Sequence, residues 1–166
     1  MAIGAAAESS LWADYLVPEP DRSAVFSPLG EARYALGLET IYEGYLVHYG
    51  RSRLFVPPDD DTALLLGDYL YAHGVARISA LHEVAAVADL SELISLCSQV
   101  RAENTDGDGP LWAATAALLG RGELDEPRTA LRLHSDPAPL DAAARSAAGD
   151  EAVDAALAAH GEHRVG

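Results

Sequence analysis

The sequence contains no lysine: all eleven of its basic residues are arginine. Chemistry that needs a lysine amine, whether a Schiff base or a Walker-type phosphate loop, is therefore excluded. There is one cysteine, Cys97, so no intrachain disulfide can form and a reducing compartment is expected. Cys97 falls on an apolar stripe with Leu90, Leu93, Ile94 and Val100, which marks a buried structural thiol and not a nucleophile. Positive charge is scarce. Twenty-six acidic residues leave a net charge of -15, against any large nucleic-acid or anionic-membrane surface. No apolar run approaches the roughly 20 residues of a membrane helix. "MAIGAAAESSLW" lacks the basic start and sustained apolar stretch of a signal peptide, so the expected location is cytoplasmic. No G-x-S-x-G, H-E-x-x-H or glycine-rich phosphate loop is present. Among the six histidines, His73 and His82 form no ligand set, and His160 and His163 sit in a segment expected to fray.

What remains is a chain of 166 residues, 49% of them apolar, enough for one domain with a real core. Helical periodicity dominates, and no alternating strand of useful length appears. Residues 8–16 suggest a short helix, stopped by Pro18 and Pro20. Ser27-Pro28 reads as an N-cap with proline at the first helical position, opening a helix to about Tyr49 with Tyr34, Leu38, Ile41, Tyr45 and His48 or Tyr49 inward. Pro57-Pro58 breaks the chain, and residues 59–62 begin a helix to about Leu81. Further helices are expected over about 83–103 and 111–120. The expected fold is an all-α antiparallel bundle over residues 1–122. Residues 123–166 are expected to hold an irregular stretch around Pro127, Pro137 and Pro139, with at most one short helix, and then an alanine-rich C-terminal helix with little bulk to bury, which is a surface helix, one that needs a partner, or partly disordered.

Gly67 and Gly74 stand one heptad apart in the helix "LLLGDYLYAHGVARIS", at a propensity cost of about 1 kcal/mol per glycine. That cost implies a second helix packed unusually close. Asp68, in mid-helix beside Gly67, needs a polar partner if it faces inward. Gly67, Asp68 and Gly74 are thus the expected helix-packing residues. Around Gly67-Asp68-Tyr69-Leu70, and more loosely over residues 35–120, the sequence resembles the trans-polyprenyl diphosphate synthases, which have the isoprenoid-synthase fold. The resemblance implies a shortened version of that all-α fold.

The family's first metal motif reads "L-I/V-H-D-D-x-x-D". Here Leu46-Val47-His48 fits the lead-in, but Tyr49, Gly50 and Arg53 stand where the aspartates belong. Without anionic oxygens a hard dication has no site. Asp59, Asp60 and Asp61 come too late for that motif and suit a helix start. Asp150 and Asp154 share a helix face but lack the glutamine that precedes the family's second motif, so they read as cap and surface acids. No cofactor or metal is therefore expected in this chain, and no catalytic activity alone. The resemblance implies a non-catalytic small or regulatory subunit of a heteromeric polyprenyl diphosphate synthase. A catalytic partner would bind Mg2+ and carry the prenyltransferase activity. This chain would dock by a helical face and influence product length through bulky side chains on the helices across 46–71. The alternative is a stand-alone homodimer that binds an apolar or prenyl ligand. Candidate substrate-binding residues are Arg51, Arg53, Tyr45, Tyr49 and Tyr71, although tyrosines at helical spacing also suit a core. The loop from Asn104 to Gly109 matches the first positions of a calcium-binding EF-hand, but Thr115 replaces the bidentate glutamate. A polar helix–helix turn explains it better.

Overall fold

The computed structural model describes residues 12–164. Among them are seven α-helices and no strand, apart from isolated bridges between Leu16 and Phe55 and between Gly50 and Arg164. The helices are α1 (Ala35–Tyr49), α2 (Asp60–Ser79), α3 (Val84–Ala102), α4 (Asp108–Leu118), α5 (Asp125–His134), α6 (Ala138–Ala148) and α7 (Asp150–His163). No helix of the described residues is long and apolar enough to cross a membrane. The expected all-α bundle is thus observed.

Two helices are central. Every residue of α1 from Gly37 to Leu46 is buried, as is every residue of α4 except Pro110. A helix enclosed on all faces cannot show a polar stripe, which is why its periodicity in the sequence is weak. Ser27-Pro28 does not open α1 directly. It forms one 3-10 turn (Ser27–Leu29), and a second follows at Ala32–Tyr34. Gly30 lies between them in extended backbone, where a Cβ atom would stand 2.1 Å from the Ala116 carbonyl oxygen of α4. That close approach forces the chain to turn before it can wind. The expected helix over residues 8–16 lies mostly outside the described residues; what is seen of it is a 3-10 turn, Ala13–Tyr15.

The close seam implied by Gly67 and Gly74 is formed with α1. Its own glycines, Gly37 and Gly44, are also one heptad apart and meet the α2 pair in antiparallel order. A Cβ at Gly44 would stand 3.0 Å from Gly67 O, and one at Gly74 would stand 2.9 Å from Gly37 O. The two backbones therefore touch without intervening side chains. The start of α2 is capped as the sequence suggests, with the Asp59 carboxylate accepting from Thr62 N at 2.7 Å. Cys97 is buried with Leu90, Leu93, Leu96 and Val100 on the inner face of α3.

The largest correction concerns residues 123–164: the expected alanine-rich C-terminal helix is present as α7, but the stretch before it is not irregular and forms α5 and α6. The prolines read as breakers occupy positions where proline does no harm. Pro127 is in the first turn of α5, Pro137 precedes α6 and Pro139 is in its first turn. A first-turn N–H has no intrahelical partner to lose. Ser135 in the left-handed region ends α5, and Gly149 at φ +88° makes the turn from α6 to α7. Small bulk is no obstacle either: Leu124, Leu131, Leu140, Ala144, Val153 and Ala156 join the same core as α1 and α4.

Candidate functional site

Between its apolar residues α1 carries two glutamates one turn apart, and both are buried: Glu39 is 1% exposed and Glu43 is 0% exposed. Burying a carboxylate is costly unless every acceptor is matched. Glu39 Oε1 accepts from three successive backbone amides, Val25 N (3.0 Å), Phe26 N (3.1 Å) and Ser27 N (2.9 Å). Glu43 Oε1 accepts from Ser52 Oγ, Arg53 N (2.9 Å) and Leu54 N (3.0 Å). Each glutamate thereby folds one flanking loop onto the helix. Arg53, 4% exposed, bridges the pair, with Nε at 3.0 Å from Glu43 Oε2 and Nη1 at 3.2 Å from Glu39 Oε2. Its Nη1 also donates to Ser23 O at 2.6 Å, and the guanidinium lies 5.1 Å from the centre of the Tyr42 ring. Burial alone would lower the Arg53 pKa, but Glu43 and Glu39 outweigh it and the arginine is held charged.

A second buried network adjoins the first. The Tyr42 hydroxyl and His160 Nδ1 are hydrogen-bonded at 2.9 Å, and Tyr45 donates to Asp108 Oδ2. His160 Nε2 faces the same Asp108 oxygen at 3.4 Å, and Arg164 lies 3.8 Å from its other oxygen. Burial acts to raise the Asp108 pKa. The His160 ring, the Tyr45 hydroxyl and the Arg164 charge together outweigh that and hold it well below the usual carboxylate range. Burial pushes both tyrosine hydroxyls well above their ordinary value. Phe26 stacks on Trp112, and Tyr42 and Tyr45 meet Trp112 edge-on, so the polar atoms are enclosed by rings. His160 is therefore a core residue at 4% exposure, not part of a frayed tail.

The candidate residues are not brought together into one pocket. Arg53 faces inward, as described. Arg51 is exposed and ties the end of α7 to the loop: its N donates to His163 O and its Nη2 to Glu162 O, both at 2.8 Å. Tyr45 belongs to the core, and Tyr49 is half-buried beneath Arg101, which donates to its carbonyl at 3.1 Å. Tyr71 is half-buried against the His48 ring. Of the three packing candidates, Gly67 and Gly74 lie in the seam. The Asp68 side chain is instead 67% exposed and meets His48 Nε2 at 3.2 Å. A Cβ at Gly67 would sit 2.4 Å from that histidine nitrogen, so the glycine makes room for the ring.

The EF-hand-like loop is not built for calcium, because Asp108 turns into the core and Asp106 pairs with Arg164 at 3.2 Å. Asp150 and Asp154 both flank Arg145, at 3.5 and 2.8 Å. Among the described residues no cluster of three or more His, Cys, Asp or Glu side chains could hold a metal ion.

Glu39 and Glu43 escaped the sequence reading. The available signal was two acids spaced i, i+4 inside the otherwise apolar run "ALGLETIYEGYLV", where a surface helix would show its polar residues on one side only. No family model matches the chain, and no curated protein and no solved structure matches it.

Proposed function

We propose that this chain works by association and not by chemistry of its own, as the non-catalytic subunit of a heteromeric polyprenyl diphosphate synthase that docks on a catalytic subunit and influences product length. The observation that carries this reading is the clamp of Arg53 between Glu39 and Glu43. Arg53 stands where the family's first motif needs an aspartate, and the two nearby carboxylates are turned onto it and onto backbone amides. A magnesium ion requires near-octahedral oxygen ligands with room for water and substrate phosphate. Here both nearby carboxylates are enclosed, and Glu39 Oε2, which accepts no hydrogen bond, faces the Arg53 guanidinium at 3.2 Å. The seam of Gly37, Gly44, Gly67 and Gly74 agrees with the resemblance around Gly67–Leu70.

The test is reconstitution. The chain is mixed with the catalytic synthase subunit of its own source, an allylic diphosphate, isopentenyl diphosphate and Mg2+, and product chain lengths are read by mass spectrometry. A stable complex and a changed length distribution are expected. No complex and an unchanged distribution reject the subunit reading. A rise of several degrees in the melting temperature of the chain alone, with Mg2+ and inorganic diphosphate, rejects the non-catalytic part.

A further inference from the structure

The outer side of α2 differs from the rest of the surface. Leu64 and Leu65 are consecutive large aliphatic residues, 55% and 63% exposed. Single exposed leucines are ordinary, but an adjacent pair beside a cleft is not explained by folding. The cleft, about 200 Å3, is walled by Val47, His48, Asp60, Ala63 and Leu64. Charge around it is of one sign. Among the described residues, Asp60 and Asp61 are exposed and make no ion pair, and Asp68 meets the His48 imidazole alone.

We propose that the first half of α2, from Asp60 to Asp68, is the docking surface for a partner protein's helix that presents lysine or arginine beside aliphatic side chains. An aliphatic side chain would enter the cleft beside Leu64, and cations would meet Asp60, Asp61 and Asp68. A second copy of this chain is a poor source of those cations. It has no lysine. Arg33, Arg53, Arg128, Arg132, Arg145 and Arg164 already face carboxylates, and the exposed Arg22, Arg51 and Arg121 lie in loops, not on a helix. Further along α2, His73 and Arg77 already have interactions of their own. The inference deepens the reading above, on which it rests for the partner's identity but not for its chemistry.

The probe is a labelled amphipathic leucine–lysine helical peptide, compared with its leucine–glutamate counterpart, with binding to the full chain read by fluorescence anisotropy at physiological salt. The expected result is that only the lysine peptide binds. Its Kd should rise about tenfold, equivalent to about 1.4 kcal/mol, in Leu64→Ser/Leu65→Ser and again in Asp60→Asn/Asp61→Asn. Glu123→Gln/Glu151→Gln, which removes the same charge from exposed sites elsewhere, should leave it unchanged. Equal weakening in that control would mean attraction by net charge alone and overturn the proposal. So would an unaffected leucine variant, equal binding of the glutamate peptide, or a dimer in sedimentation velocity that Leu64→Ser/Leu65→Ser dissolves. If the peptide result holds and product length does not change in reconstitution, the surface stands and the synthase reading falls. If product length changes and the peptide arm fails, the subunit docks by another face.

Discussion

Replacing Glu43 by glutamine tests the clamp with the smallest possible change of shape. The side chain is fully buried and accepts from Ser52 Oγ, Arg53 N and Leu54 N on one oxygen and from Arg53 Nε on the other. A glutamine can keep only one of these sets. With its oxygen toward the loop, the new NH2 faces Arg53 Nε, donor against donor. Flipped, it faces three donors at once. Either way Arg53 keeps one carboxylate, Glu39 at 3.2 Å, which places the cost toward the lower part of the range for breaking a buried ion pair, about 3–5 kcal/mol. With total stabilities of about 5–15 kcal/mol, this is a large fraction of the fold. At about 2–4 °C per kcal/mol for a chain of this size, the melting temperature should fall by about 6–15 °C. Urea unfolding followed by far-UV circular dichroism, with m checked for constancy, gives the free energy directly. Glu31→Gln, which breaks an exposed pair with Arg33 at 2.9 Å, should change it by less than about 1 kcal/mol. Glu43→Gln combined with Arg53→Met should recover part of the loss, since no unmatched charge remains inside. A loss below about 1 kcal/mol for Glu43→Gln would refute the reasoning. It would mean that water or a mobile Arg53 compensates, so that the carboxylates are open to other ligands.

Two further perturbations bear on the seam and on protonation. Gly74→Ala should destabilise despite an intrinsic helix gain of about 1 kcal/mol, because the new methyl meets Ile41 at 2.4 Å and the immovable Gly37 carbonyl at 2.9 Å. Gly161→Ala, in α7 with nothing within 4 Å, should stabilise by up to about 1 kcal/mol, and thermal melts showing the same sign for both would contradict the seam. Stability should also decline on acidification below about pH 6.5. Burial, opposed only by Asp68, holds the His48 pKa below its ordinary value, and burial followed by Arg53 does the same for His163. With folded values below unfolded ones, the unfolded chain takes up protons first. The stabilisation is therefore present above about pH 6.5 and lost as pH falls through the folded values. His48→Gln should flatten part of that slope in urea midpoints measured from pH 8 to 5, and a flat wild-type profile would refute it.

Local chemistry was legible in the sequence where the cause was local. Asp59 caps α2 because the first-turn amides of any helix lack an intrahelical acceptor, and its carboxylate takes the Thr62 amide. Gly67 and Gly74 announced a close neighbour, although not which helix it was. Prolines misled for residues 123–164 because their effect depends on whether they fall in the first turn of a helix or deeper, a matter of two residues. His160 was misplaced for a different reason. Alanine-rich surroundings carry propensity but do not reveal that a distant Tyr42 and Asp108 leave polar atoms for it to satisfy. The Glu39 and Glu43 clamps depend likewise on loops 9 to 14 residues away. The exposure of Leu64 and Leu65 was not legible either, because it follows from where the other helices are not.

The bond between Tyr42 and His160 spans 118 residues, and this separation sets an order of events during synthesis. At about 5–20 residues per second, on the order of ten seconds pass between the emergence of the two side chains. The α1–α2 hairpin, with contacts close in sequence, can form within that interval, as can the bond from Tyr45 to Asp108, whereas Tyr42 must wait for His160. Until residues 160–164 arrive, Tyr42 lacks its His160 partner and Asp108 lacks the neighbouring His160 and Arg164, which leaves this part of the core open to water. A chain stopped before His160 would be held in that state, with its first hairpin formed and its interior open to proteases and chaperones. The last turn of α7 thus closes a core that α1 and α4 begin.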